Sequence, residues 1–141
     1  MDTEITIEQL QTIRLMVCTP MYGGMCSGNY TNMAIALAQW AALHGIHVEF
    51  KFIFNESIVS RARCDLVDMF LDSDDCTHMV FIDADISLDH LDLMRMVYLT
   101  EPGTIVGAPC SQKAIDYQRL EQAVKKGVPT DHLQESAATF N

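Results

Sequence analysis

The stretch Met79-Val80-Phe81-Ile82-Asp83-Ala84-Asp85 decides the fold. Four apolar residues read as a buried strand and run directly into two carboxylates separated by one small residue. Side chains alternate along a strand, so Asp83 and Asp85 are expected on one face and Ala84 on the other, with the carboxylates about 6–7 Å apart. At an effective dielectric near 20 such a pair repels by roughly 2.5 kcal/mol. A divalent cation turns that repulsion into attraction, and hard carboxylate oxygens suit Mg²⁺ or Mn²⁺. Aspartates at strand ends also serve as caps and turn formers, as Asp89 is expected to do downstream. The flanking segments decide between the two readings.

Outward from this stretch, strands alternate with helices. Ile13 to Cys18 is a short apolar run, and Thr19-Pro20-Met21-Tyr22-Gly23-Gly24 behind it has turn chemistry. A helix capped by Asn29 or Thr31 runs to about Leu43. It is apolar nearly all round, so it is expected to be well buried, with Trp40 in the core. His44-Gly45 ends it, and 47–54 reads as a second strand. Ser57 opens a helix to about Leu71 with an apolar arc of Val59, Ala62, Leu66, Met69 and Phe70. The solvated turn Asp72-Ser73-Asp74-Asp75 leads into the Met79 strand, and a helix follows from about Asp89 to Leu99. Glu101-Pro102-Gly103 then turns into a last strand, Thr104 to Ala108. After Pro109 a weaker helical pattern (Ile115, Leu120, Val124) stops at Gly127-Val128-Pro129, and the remaining polar residues are expected to be loosely ordered.

This alternation implies right-handed βαβ units: an α/β fold with a mostly parallel sheet and flanking helices. Ligands of such sheets bind beyond the carboxyl ends of the strands. Pro20 to Gly24, Asn55-Glu56, Asp83 to Asp85 and Pro109-Cys110 all fall at such ends and are expected to share one rim. Of the two arginines on the second helix, Arg61 points away from the apolar arc, one turn from Asp65, and is expected to pair with it. Arg63 flanks the arc and can reach the rim to contact an anion. Tyr22 either stacks on a base or covers its loop.

Length and composition narrow the classes. The 141 residues are expected to form one domain, and 49% hydrophobic with 20% charged residues is the composition of a folded globular chain. A net charge of -10 opposes nucleic acid as a partner, because phosphate backbones need clustered Lys and Arg. No segment is apolar for long enough to span a membrane, and the acidic start Met1-Asp2-Thr3-Glu4 lacks signal-peptide character, so a cytoplasmic location is expected. The cysteines (Cys18, Cys26, Cys64, Cys76, Cys110) form no CxxC pair and the histidines show no zinc-ligand spacing, which predicts free thiols. Gly23, Gly24 and Gly28 match neither the dinucleotide-binding nor the P-loop spacing.

Three segments in order, Thr19-Pro20-Met21-Tyr22-Gly23-Gly24, Asn55-Glu56-Ser57-Ile58-Val59-Ser60-Arg61-Ala62-Arg63 and Phe81-Ile82-Asp83-Ala84-Asp85, resemble the GT-A nucleotide-sugar glycosyltransferases, closest to the short family-two-like enzymes of phage and bacteria. The resemblance spans roughly residues 13–118 and includes Val106-Gly107-Ala108-Pro109. It implies the Rossmann-like, nucleotide-binding half of that fold and a hexosyltransferase-like activity. Thr19, Pro20 and Tyr22 would line the base and ribose pocket with Glu56 nearby, and Arg63 would contact the nucleotide. Asp83 would face ribose and metal, and Asp85 would hold the Mn²⁺ or Mg²⁺ that bridges the diphosphate of a UDP- or GDP-linked sugar. Two features depart from the family. Cys64 stands where it usually has Asn, and only 56 residues follow Asp85, too few for the usual acceptor-binding half with its catalytic base. The expectation is therefore a metal-dependent transferase with an unknown acceptor, either a truncated gene product or a nucleotide-binding half that needs a partner. The alternatives are a non-catalytic nucleotide-sugar binding or assembly module, and another metal-dependent phosphotransfer or nucleotidyl enzyme. Apolar surface left where the missing half would pack would favour a homo-oligomer.

Overall fold

In the computed structural model, which describes residues 5–140 (111–114 and 139–140 by their backbone alone), the apolar run after Ile13 forms the central strand β1 (Arg14–Met21). Before it lies α1 (Ile7–Leu10), which the sequence reading did not include. Thr6 and Gln9 close a capping box there: Thr6 N–H donates to Gln9 Oε1 at 2.8 Å, and Gln9 N–H donates to Thr6 Oγ1 at 3.4 Å. The chain divides into two compact units, Met1–Val106 and Gly107–Asn141.

The first unit continues through a short 3₁₀ turn (Tyr22–Gly24), α2 (Gly28–Leu43), β2 (His47–Phe54), α3 (Val59–Leu71), β3 (His78–Phe81) and α4 (His90–Tyr98). Its strands form a three-stranded, all-parallel sheet in the order β2-β1-β3, flanked by helices as in a Rossmann-like α/β fold. Alternation along β1 divides the core in two. Leu15, Val17 and Met21 pack with Tyr30, Met33, Leu37 and Ala41 of α2 and with Leu93, Met94 and Val97 of α4. Met16 and Cys18 point the other way, onto Leu66 and Phe70 of α3. Each fully buried aliphatic side chain contributes about 1.5–3 kcal/mol.

Several expected boundaries move. β1 runs through Thr19-Pro20-Met21, which the sequence suggests is a turn, and proline is tolerated in this central strand for a specific reason. Ile82 N–H donates to the Cys18 carbonyl at 3.1 Å, so the even residues of β1 face β3. The next rung would need an N–H from Pro20, which has none. The β1–β3 ladder therefore stops while β1 continues against β2 as far as the Met21–Phe54 pair. As a consequence β3 ends at Phe81 and is a half-exposed edge strand, not a buried one.

α2 is capped by Ser27, whose Oγ accepts Tyr30 N–H at 3.1 Å, two residues before Asn29 and four before Thr31. Only one face of it is buried. Ile35 and Leu43 are 51% and 84% exposed, and Trp40 is half-buried at the rim of the core against the His44 and His90 rings. An all-apolar helix is buried all round only where neighbours cover every side, and α2 lacks them within this unit. Likewise α3 buries Ala62 and Leu66 but leaves Val59 and Met69 exposed.

The expected strand Thr104–Ala108 does not form; residues 104–110 are exposed and carry no regular structure. Thr104 is bound into a turn with Glu101, its N–H donating to the Glu101 carbonyl at 2.9 Å and its Oγ1 accepting Glu101 N–H at 2.9 Å. The second unit holds β4 (Ser111–Ile115), α5 (Tyr117–Lys125), a 3₁₀ turn (Thr130–His132), α6 (Leu133–Ala137) and β5 (Ala138–Phe140). β4 and β5 pair antiparallel, so the stretch after Pro129 is ordered by a partner strand that its own weak periodicity does not announce. Asp116 caps α5, accepting the N–H groups of Gln118 and Arg119, each at 3.0 Å.

Candidate functional site

The carboxyl ends of β1, β2 and β3 meet as the topology requires. Behind β1, Gly23 and Gly24 turn the chain with φ near +70°, a region glycine enters without strain. A Cβ at Gly24 would lie 3.8 Å from the Phe54 ring, so this turn sits against the end of β2. Ser27 N–H donates to the Ala84 carbonyl at 2.8 Å and ties the same loop to the turn after β3. Three of the four expected rim segments are thus brought together. Pro109-Cys110 falls in the second unit, and the strand that was expected to precede it does not form.

Asp83 and Asp85 lie in a tight turn closed by Ile86 N–H donating to the Asp83 carbonyl at 2.9 Å. The strand has already ended, so strand alternation does not govern how these two side chains project. Asp83 is reached from the opposite element. Arg63, in the second turn of α3, donates from Nη2 to Asp83 Oδ1 at 2.9 Å, and its guanidinium carbon stands 5.5 Å from the centroid of the Phe81 ring. The ring shields one side of the cation and adds a cation–π attraction. Arg63 Nε is buried there without a hydrogen-bond partner. Arg63, Cys64, Val67, Asp68 and Phe81 line a shallow groove of about 230 Å³ beside the pair.

Glu56 is placed by the end of β2. Asn55 adopts φ 60°, which asparagine tolerates better than most residues, and the chain reverses into α3. Glu56 then caps α3 from outside: Oε1 accepts Ile58 N–H at 2.9 Å and Oε2 accepts Arg61 Nη1 at 3.2 Å. The backbone bond from Ile58, with Arg61 adding to it, holds the Glu56 carboxyl below the ordinary carboxylate range. Arg61 therefore pairs with Glu56 and not with Asp65, since the capping carboxylate is already fixed within reach.

The remaining expected residues separate by exposure. Tyr22 stands out on the 3₁₀ turn at 70% exposure, open to a stacking partner, and Pro20 is half-buried. Thr19 is fully buried, its hydroxyl 2.7 Å from that of Tyr30. Its side chain faces the core beneath the rim, because odd residues of β1 point toward α2. Away from the rim, the structure also gathers His47, Glu49 and Cys76, whose potential ligand atoms lie within 4.8 Å of one another. The spacing His47-x-Glu49 on a strand was a visible signal, since both share a face; nothing local announced Cys76.

Among the described residues no helix is long and apolar enough to cross a membrane. All five cysteines are free thiols. No protein-family model, curated protein or solved structure matches this chain.

Proposed function

We propose that the first unit is the donor-binding part of a metal-dependent GT-A glycosyltransferase, which holds a UDP- or GDP-linked sugar and transfers the sugar to an acceptor. The observation that carries this reading is the Arg63–Asp83 contact at the carboxyl end of the sheet: a cation from α3 meets a carboxylate from the turn after β3, the turn that Ser27 ties to the loop behind β1. The free thiols favour a cytoplasmic setting.

The chemistry follows from the side chains. Tyr22 offers an exposed ring for the base, and Glu56 and Asp83 offer acceptors for ribose hydroxyls. Asp83 and Asp85 are hard oxygen donors of the kind that would hold Mn²⁺ or Mg²⁺. A cation bound there supplies Lewis-acid stabilisation of the departing diphosphate. Arg63, held beside Asp83, is the side chain that would meet the negative charge of the diphosphate. Thr19 supports the rim from beneath through its bond to Tyr30.

Thermal melts test this directly, with Mn²⁺ alone and with UDP, GDP and their sugars. A nucleotide at 100 times its Kd adds about 2.7 kcal/mol, which is several degrees in Tm. The shift is expected to need Mn²⁺ and to vanish in Asp83→Asn and Asp85→Asn. Absence of any nucleotide shift in the native chain overturns the reading. A shift without release of sugar from the donor identifies a binding module in place of a transferase.

A further inference from the structure

We infer that His47, Glu49 and Cys76 form a second metal site, one that takes a thiolate- and imidazole-preferring ion of the Zn²⁺ class. It lies at the opposite pole of the sheet from the rim and is independent of the proposed donor site. His47 opens β2, and the rim begins past Phe54 at its other end, about 23 Å away along an extended strand.

The three ligand atoms come from two segments fixed against each other. His47 and Glu49 are two apart on edge strand β2, so both project from one face of it. Cys76 arrives from the loop before β3. That loop is clamped on both sides of Cys76 by one residue, Arg14. Its Nη2 donates to Asp75 Oδ1 at 2.7 Å and its Nε to the Asp75 carbonyl, while Thr77 N–H donates to the Arg14 carbonyl at 2.8 Å. Arg14 is itself the register partner of His47. The backbone on either side of the cluster is therefore held before any ion arrives, which reduces the ordering cost of binding.

The donor atoms are also oriented. Cys76 Sγ lies 3.6 Å from Glu49 Oε2, and Lys51 Nζ holds Oε1 of the same carboxylate. Lys51 thus takes the outer oxygen and turns the inner one toward the cysteine, the arrangement in which a second layer of residues aims a ligand at its ion. The ligand atoms all lie within 4.8 Å of one another, and small side-chain rotations bring them to the closer spacing around one tetrahedral ion. On binding, the Cys76 S–H bond breaks, its proton leaves to solvent, and the sulfur electron pair forms the bond to the ion; no electron is transferred. Thiolate, imidazole and one carboxylate select Zn²⁺ over Mg²⁺ or Mn²⁺, and three protein ligands leave a fourth position for water.

Cobalt(II) is the probe. The full chain, stripped with a chelator, is titrated with Co²⁺ and followed by absorption. The expected result is one equivalent of Co²⁺ giving a thiolate-to-cobalt charge-transfer band and tetrahedral d–d bands, both bleached by Zn²⁺. Cys76→Ser should abolish the charge-transfer band, while Cys64→Ser and Asp83→Asn leave it unchanged. Lys51→Ala should weaken Co²⁺ binding about 10- to 100-fold without removing the band. His47→Asn, at an exposed side chain, should weaken the tetrahedral spectrum and carries the test if Cys76→Ser does not fold. No charge-transfer band in the native chain, or a band that survives Cys76→Ser, overturns the site. Either failure leaves the Mn²⁺- and nucleotide-dependent melts untouched.

Discussion

Arg63 and Asp83 stand 20 positions apart in sequence, yet the guanidinium of one donates to the carboxylate of the other at 2.9 Å and joins the second turn of α3 to the turn after β3. Both side chains are close to half exposed, so solvent screens the pair, and a double-mutant cycle between them is expected to give under about 1 kcal/mol of coupling stability. Its proposed value lies in binding. Arg63→Ala should leave Tm within a degree or two of the native chain and still remove the nucleotide-dependent shift in the Mn²⁺ melt. Retention of that shift would release Arg63 from the donor site.

The α3 arc offers a contrast in packing. Leu66 is fully buried against Met16 and Cys18, whereas Met69, on the same expected arc, is 41% exposed. Leu66→Ala should cost about 2–5 kcal/mol in urea unfolding, and Met69→Ala well under 1 kcal/mol. Equal losses would mean that α3 packs differently.

Thr19 and Tyr30 share a buried hydroxyl pair. Removing one partner strands the other without water, so Thr19→Val is expected to destabilise by about 1–3 kcal/mol. The double variant Thr19→Val with Tyr30→Phe should lose less than the sum of the single changes, because no polar atom is then left unpaired. Strict additivity in denaturant unfolding would show that the hydroxyls do not depend on each other.

The Glu56 carboxyl is more acidic folded than unfolded, so on acidification the unfolded chain takes up its proton first. Its stabilisation is therefore complete above the ordinary glutamate range near pH 4.3, and is lost as pH falls through the lower folded value. Melts of native protein and Glu56→Gln should differ at pH 7 and converge as the pH falls through the lowered folded value. A constant difference at every pH would mean that the charge on Glu56 contributes nothing.

The parts legible in the sequence were those with local causes. The alternation of apolar runs gave the parallel α/β sheet, 47–54 was read to its boundaries, and Asp89 caps α4 as its position suggested, accepting Leu91 N–H at 2.8 Å. Arg63 could be aimed at the rim from helix geometry alone. The errors came where a distant partner decides. Pro20 reads as a turn residue until the missing rung to Ile82 is known. Ala138 to Phe140 has no strand signal of its own and pairs because β4 is there. Thr104–Ala108 has the composition of a strand, but Thr104 is already committed to its turn with Glu101. The rim was therefore readable in part, while the His47, Glu49 and Cys76 cluster needed the loop geometry that only the fold supplies.

The strand order also sets a timetable for synthesis. β1 is translated first among the strands but lies between the other two, and its Arg14 waits 63 positions for Thr77. At about 5–20 residues per second that interval is about 3–13 s, during which the most buried strand of the parallel sheet emerges with one hydrogen-bonding edge unfilled. β2 closes its other edge earlier. A ribosome that stalls between 54 and 77 would thus release a two-stranded fragment with an open edge, the kind of nascent chain that chaperones hold and that aggregates when they do not.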